Sequence, residues 1–291
     1  MRYAYFPGCS LSGASAQDYD LSLRWVCRFL GIELQEVRDW VCCGASSAHA
    51  SSRLLSVAVP AISLSHAEQD GFDQLVAPCL ACLSRMKAAN QIFETDKALR
   101  KKVNEALEGG YRGTVKVFHP LEVLLNDVGL DSLGEKVRNR LPGLKVACYY
   151  GCALTRPPKV CRFDNPEYPM SMDSILRSVG LETLDWAYKT ECCGVSMMLT
   201  RADMVVYLSH KIIRAAKEVG ADVIAVCCPL CQANLDMRQG QIADKYGERF
   251  DIPVLYFTQL LGIIYGAYSG ELGLSRLIVS PQRALENYGI L

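Results

Sequence analysis

Asp222-Val223-Ile224-Ala225-Val226-Cys227-Cys228-Pro229-Leu230-Cys231 runs from a short apolar segment straight into a Cys-x-x-Cys pair. Phe72 to Ala77, followed by Pro78-Cys79-Leu80-Ala81-Cys82, does the same in the first half of the chain. Each segment has the length and apolar character of a buried strand, and each ends at proline and cysteine. Outward from these two points the pattern continues. Strands are expected at Arg2 to Phe6, Ile32 to Val37, Val115 to Phe118, Leu144 to Tyr149 and Leu184 to Trp186. Helices are expected at Tyr19 to Leu30, Ser52 to Gln69, from Leu83 to Asn90, Ser171 to Val179 and Ala202 to Val219. Strands alternating with helices predict an α/β fold with mostly parallel sheet.

The chain also repeats itself. Pro7-Gly8-Cys9, Cys42-Cys43-Gly44 and Cys79-x-x-Cys82 recur in order as Tyr150-Gly151-Cys152, Cys192-Cys193-Gly194 and Cys228-x-x-Cys231. The first interval is 33 residues in one copy and 40 in the other; the second is 36 and 35. Arg140-Leu141-Pro142-Gly143 breaks the pattern, so two tandem, pseudo-symmetric domains are expected, residues 1–141 and 142–291, each a mostly parallel sheet flanked by helices.

Composition narrows the function. The 291 residues carry 31 basic and 31 acidic side chains, which gives no electrostatic ground for nucleic-acid binding. Met1 to Pro7 has no apolar signal core. Val254 to Tyr268 is too short to span a bilayer and reads as a strand entering a buried helix. A cytoplasmic protein that is not transmembrane is therefore expected. Fourteen cysteines in such a chain favour metal or redox chemistry over disulfides.

One Cys-x-x-Cys pair, one double cysteine and one lone cysteine make five thiols per repeat. Zinc takes four, and an ordinary iron–sulfur cubane also takes four. The fifth favours an iron–sulfur core with non-equivalent irons, or a thiolate that bridges or detaches. Zinc in one repeat, and disulfides, stay open as alternatives. The thiols fall where strands end and helices begin, the edge at which α/β sheets bind ligands and helix N-termini favour anions. Successive side chains of an extended chain point apart, so Cys42-Cys43 and Cys192-Cys193 need a sharp bend, which Gly44 and Gly194 permit.

Four cysteines lie outside the pattern. Cys27 and Cys148 read as core residues, Cys227 as a weaker competitor of Cys228, and Cys161 has no evident role. His119 follows a strand and is a proton-donor candidate as well as a helix-capping one, with Thr258 as its expected counterpart. Arg156 and Lys159, in the loop after Cys152, are candidates for holding an anionic substrate group. His49, His66 and His210 lie in helical runs. No glycine-rich dinucleotide fingerprint is present, so neither flavin nor nicotinamide is expected on this chain.

Taken together, these motifs resemble the cysteine-rich CCG domain, and the arrangement as a whole resembles the B-subunit family of heterodisulfide reductase. The resemblance rests on Tyr5-Phe6-Pro7-Gly8-Cys9, Asp39-Trp40-Val41-Cys42-Cys43-Gly44, Thr190-Glu191-Cys192-Cys193-Gly194, Cys228 to Leu235 and Tyr256 to Leu261. It implies two noncubane [4Fe-4S] clusters. Cys9, Cys42, Cys43, Cys79 and Cys82 would bind one; Cys152, Cys192, Cys193, Cys228 and Cys231 would bind the other. It further implies reduction of a small-molecule mixed disulfide, coenzyme M–coenzyme B in methanogenesis. The electrons would come from the reductase's cubane iron–sulfur C subunit and its flavoprotein A subunit. CCG domains also serve as electron-transfer components of quinone- or fumarate/succinate-linked oxidoreductases, which is the alternative reading.

Overall fold

The computed structural model describes residues 1–45 and 48–288; residues 289–291, the end of the second expected domain, lie outside the described residues. Its strands are β1 (Arg2–Tyr5), β2 (Glu33–Glu36), β3 (Gln74–Val76), β4 (Lys116–Phe118), β5 (Lys145–Tyr149), β6 (Glu182–Thr183), β7 (Val223–Val226) and β8 (Val254–Tyr256). They form two four-stranded sheets, ordered β2-β1-β3-β4 and β6-β5-β7-β8. Every pairing among the described residues is parallel. The unbroken apolar run of β7 fits this: all four of its residues are buried, as in a sheet covered on both faces.

Helices cover the sheets: α1 (Gln17–Phe29), α2 (Leu55–Gln69), α3 (Leu80–Thr95), α4 (Pro120–Val123), α5 (Ser171–Ser178), α6 (Ala202–Glu218), α7 (Pro229–Met237) and α8 (Phe257–Ile264). The alternating α/β repeat expected from the sequence is present in both halves. Helix α3 starts three residues earlier than expected, so that Cys82 lies inside it. The sixth strand is displaced from the expected Leu184–Trp186 to Glu182–Thr183. Leu184 N–H still bonds Val146 O at 2.9 Å, but Trp186 turns inward and donates Nε1–H to Cys148 O at 3.0 Å.

In each sheet the strand order reverses beside the first strand of the repeat. β1 pairs with β2 on one side and β3 on the other, and β5 pairs likewise with β6 and β7. Loops leaving two such neighbouring strands diverge and open a crevice at the carboxyl edge. Cys9 follows β1, Cys79 follows β3, Cys152 follows β5 and Cys228 follows β7. The topology alone therefore puts two cysteine loops of each half at one crevice, and the double cysteines follow β2 and β6.

The halves pack through their helices. Helix α8 of the second half lies on α1 of the first, while α5 of the second lies against α4 of the first. Tyr19 stacks on Tyr256 at 4.2 Å and Phe29 on Tyr265 at 4.8 Å. Ser22 and Thr258 share a 2.7 Å hydroxyl bond. One continuous core results.

One buried ion pair belongs to the second half. Lys189 Nζ lies 2.9 Å from Asp173 Oδ1, with the two side chains 1% and 0% exposed. Tyr150 Oη–H donates to Asp173 Oδ2 at 2.5 Å. The Lys189 carbonyl accepts Tyr150 N–H at 2.9 Å and Gly151 N–H at 3.2 Å. This clamp fixes the loop before Cys192 against the loop before Cys152. Lys189→Ala leaves the Asp173 charge buried and unpaired, so chemical denaturation should show a loss of about 3–5 kcal/mol. The apolar pair Lys189→Met with Asp173→Leu should lose clearly less, since no charge is then stranded.

Candidate functional site

Cys79 and Cys228 occupy equivalent places. Each is the extended residue that caps the N-terminus of its helix, α3 or α7. Three residues on, Cys82 and Cys231 stand where the acidic partner of a capping box would stand. Cys-x-x-Cys thus puts two thiols at the positive end of one helix, where thiolate is favoured.

The two glycines before the lone cysteines bring the strand loops close. Gly8 has φ +62°, and a Cβ there would lie 3.1 Å from Cys82 Sγ. Gly151 has φ +70°, and a Cβ there would lie 2.9 Å from Cys231 Sγ. A side chain would face both backbone strain and a thiol in its path. At the double cysteines, Gly194 N–H donates to Cys192 Sγ at 3.3 Å.

The thiols form a string of contacts. Cys43 touches Cys82, and Cys82 touches Cys79. Cys79 touches Cys228 across the boundary between the halves. Cys228 touches Cys231, whose Sγ lies 3.6 Å from Cys193 Sγ. Cys192 and Cys152 form a further pair, and Cys9 lies within the field of Cys42 and Cys43. All ten thiols singled out in the sequence therefore gather into two groups that meet at Cys79 and Cys228. The inner thiols Cys43, Cys79, Cys82, Cys193, Cys228 and Cys231 are buried, whereas Cys9, Cys42 and Cys192 are exposed. Among the described residues no three His, Cys, Asp or Glu side chains are disposed to hold a single metal ion.

Contact splits the pKa values. Cys192 falls to about 6, mainly through Cys152 and helped by Gly194 N–H. Cys43 falls to about 7, mainly through Cys82. Cys228 falls well below the ordinary thiol range through Cys231 and Cys79. Their partners Cys152, Cys82, Cys231 and Cys79 all rise.

His119 is wholly buried and caps α4. Its Nδ1 accepts Leu121 N–H at 3.2 Å, which leaves the proton on Nε2. Nε2 faces the carbonyls of Pro78 at 3.2 Å and Cys227 at 3.0 Å. Burial lowers its pKa to about 4, so it stays neutral near pH 7. It ties together the turns that precede Cys79 and Cys228, one from each half. Its counterpart is Tyr256 rather than Thr258. Val76 pairs with Phe118 and Ala225 with Leu255, each three residues before the equivalent cysteines, so the next residues correspond. Thr258 instead faces Ser22.

Arg156 and Lys159 are not brought together. Arg156 donates to Glu167 at 2.8 Å and to Thr190 Oγ1 at 3.2 Å, beside Cys192. Lys159 lines an open cleft with Lys87, Lys116, Glu122 and Arg162. Cys161 also sits there, its thiol donating to Ala153 O at 3.6 Å and its carbonyl accepting from Lys87 at 2.9 Å. Cys227 donates to Tyr150 O at 3.6 Å, away from the string, and Cys27 and Cys148 are buried in the core. His49 lies in a short helix at Ala48–Ser51 with no buried residue, His66 bonds Arg38 O at 3.1 Å, and His210 stacks on Tyr246. Sequence reasoning missed Lys189, because nothing local distinguishes it from a surface lysine.

Two cysteine-edged parallel sheets, joined through their thiols, define a tandem-repeat α/β protein with a thiol-rich crevice. The chain belongs to the CCG cysteine-rich domain family, whose model matches residues 3–87 and 146–236. It is 33% identical over 286 residues to the 8-methylmenaquinol:fumarate reductase membrane anchor subunit of Wolinella succinogenes, covering 97% of this chain and 98% of that one. It is 30% identical to the B subunit of the ferredoxin/F(420)H(2)-dependent CoB-CoM heterodisulfide reductase of Methanosarcina acetivorans, covering 77% of this chain and 74% of that one. A protein of Archaeoglobus profundus described as like the heterodisulfide reductase B subunit is 28% identical, with 91% of each chain covered. A crystal structure of a hypothetical protein from Helicobacter pylori shares the fold, with TM-score 0.74 and 12% identity over 96% of this chain; this chain spans about half, 52%, of that protein. No helix among the described residues is long and apolar enough to cross a membrane.

Gly151→Ala should cost about 1–3 kcal/mol, from the positive φ and the displaced Cys231 thiol. Thermal unfolding measures the loss, and Gly180→Ala is the comparison. Gly180 has φ +89° but nothing within 4 Å of an added Cβ, so the difference between the two isolates the thiol clash.

Proposed function

We propose that this chain is the catalytic iron–sulfur component of a heterodisulfide reductase-type complex, reducing a mixed disulfide to two thiols with electrons from partner chains. The contact of the two thiol groups at Cys79 and Cys228 carries the reading. Two electrons are needed to cleave one disulfide, and two adjoining centres deliver them to one place. Residues 1–141 and 142–291 are the two binding units.

The donor set suits a polynuclear core. Five thiols gathered around each crevice, one more than zinc takes, match a core of several iron atoms better than zinc. Cys9, Cys42, Cys43, Cys79 and Cys82 would hold one noncubane [4Fe-4S] cluster, and Cys152, Cys192, Cys193, Cys228 and Cys231 the other. When bound, the clusters supply one electron each. The chain's own groups position them: the α3 and α7 N-termini favour the anions, Gly194 N–H bonds Cys192, and His119 holds the two Cys-x-x-Cys turns in register. Arg156, beside Thr190 and Cys192, is the group for an anionic arm of the substrate. A cubane iron–sulfur C subunit and a flavoprotein A subunit, in the cytoplasm, would supply the electrons.

One observation favours the alternative, electron transfer with a quinol-linked fumarate reductase. The Wolinella relative, 33% identical to this chain, is named as the membrane anchor subunit of an 8-methylmenaquinol:fumarate reductase.

Anaerobically purified chain should hold about eight irons, and Cys193→Ala about four, with the first centre's electron paramagnetic resonance signal intact. Loss of both signals in a folded variant contradicts two separate centres. Reduced chain should cleave a mixed disulfide without added flavin. Oxidation by a menaquinone analogue, with disulfides left intact, would instead select the quinol-linked reading.

A further inference from the structure

Tyr256 begins α8 as its counterpart His119 begins α4, and the two caps are built alike. Tyr256 N–H donates to Gln259 Oε1 at 2.9 Å, and His119 N–H to Glu122 Oε1 at 2.9 Å. The side chains then part ways. His119 spends its single N–H on the carbonyls of Pro78 and Cys227. In the second half the carbonyl of Cys227 is already served by Tyr19, whose Oη–H donates to it at 3.2 Å. Tyr256 stacks on that Tyr19 ring at 5° and is 0% exposed. Its Oη is buried with no hydrogen-bond partner among the described residues.

Buried hydroxyls are nearly always paired, because leaving the water they bonded to is costly. The groups acting on the Tyr256 phenol, after burial itself, are Asp18, Cys228, Asp236 and Cys79. Its hydroxyl has one O–H to donate, and nothing among the described residues takes it. Asp236 is committed elsewhere: it accepts Ile278 N–H at 2.8 Å, Val279 N–H at 3.0 Å and Gln232 Nε2–H at 3.2 Å. Asp18 is bonded by the amides of its own residue and of Tyr19. Cys79 and Cys228 also accept backbone N–H groups, and it is at these two thiols that a bound cluster would bring further sulfur acceptors to the unpaired hydroxyl.

We propose that Tyr256 donates its Oη–H to sulfur at the Cys79–Cys228 junction, as a positioning residue that raises the reduction potential of the centre there. The proposal rests on the iron–sulfur reading. A donor to cluster sulfur stabilises the reduced, more negative form. His119 has no proton to spare for the same service, so the two centres differ in potential although their cysteine sets match.

The test is a redox titration, followed by electron paramagnetic resonance, of anaerobically loaded chain. Wild type is compared with Tyr256→Phe, which deletes the donor, and Tyr256→His, which restores one. In Tyr256→Phe, with iron content as in wild type, one of the two signals should titrate at lower potential and the other stay in place. Tyr256→His should move the shifted signal back. A Tyr256→Phe chain that fails to load iron while Tyr256→His loads normally also supports the donor. Full iron with unmoved potentials in Tyr256→Phe overturns the role of Tyr256 alone. Equal loss of iron in both variants overturns it too, since the stacked ring and not the hydroxyl is then what matters. Wild type without iron sinks the cluster reading itself.

Discussion

Thiols can gather only if the main chain lets them, and here that permission comes from strand order. A parallel strand ends with its carbonyls facing a turn, and the next helix begins with free N–H groups. Where two neighbouring strands send their chains in opposite directions, the turns leave a gap. Both sheets reverse beside the strand that leads to the lone cysteine, so the gap opens between Cys9 and Cys79 in one half and between Cys152 and Cys228 in the other. Gly8 and Gly151 then let the backbone come within a few ångströms of the Cys82 and Cys231 thiols.

Doubling the unit adds something that one copy lacks. Helices α1 and α8, and α5 and α4, pack across the boundary between the halves, on the side where the two Cys-x-x-Cys turns meet. The bonds at that junction cross the boundary: His119 and Tyr19, both of the first half, reach the Cys227 carbonyl of the second. The copies are not identical in support. The second holds its double-cysteine loop through the buried Lys189–Asp173–Tyr150 clamp, whereas Asp39 stands at the position of Lys189 in the first. A pseudo-symmetric frame therefore carries two inequivalent sites.

Much of this is legible in the sequence. Spacing names the ten thiols, and apolar runs such as Val223–Val226 name the strands that carry them. The displaced β6 shows the limit of apolar pattern: Leu184 and Trp186 are as apolar as a strand, but the indole N–H finds a better partner in the Cys148 carbonyl. Lys97–Ala106 forms a helix that no apolar stripe announces, because only Val103 in it is buried. The equivalence of His119 with Tyr256 is hidden because the two share no side-chain chemistry. Backbone register reveals it, and Thr258 is the misleading polar neighbour. Buried Lys189 depends on Asp173, a residue that no local periodicity connects to it.

The charge balance of the crevice makes the case for a cationic core. In several contact pairs one thiol falls and the other rises: Cys192 against Cys152, Cys43 against Cys82, Cys228 against Cys79 and Cys231; between Cys79 and Cys82 both rise. That is the pattern of sulfurs sharing too few protons, one thiolate held by its neighbour's S–H. The leading groups acting on these shifted thiols include no lysine or arginine. The buried cations nearby are already engaged, Lys87 by Glu122 at 2.7 Å and Lys189 by Asp173 at 2.9 Å. Protons alone leave half the donor set neutral, and helix N-termini supply only a fraction of a charge each. Replacing the shared protons by metal lets every sulfur ionise and turns the mutual repulsion into ligation. Ten thiols gathered this closely are poorly explained as packing, and the iron–sulfur reading gives them a charge to answer.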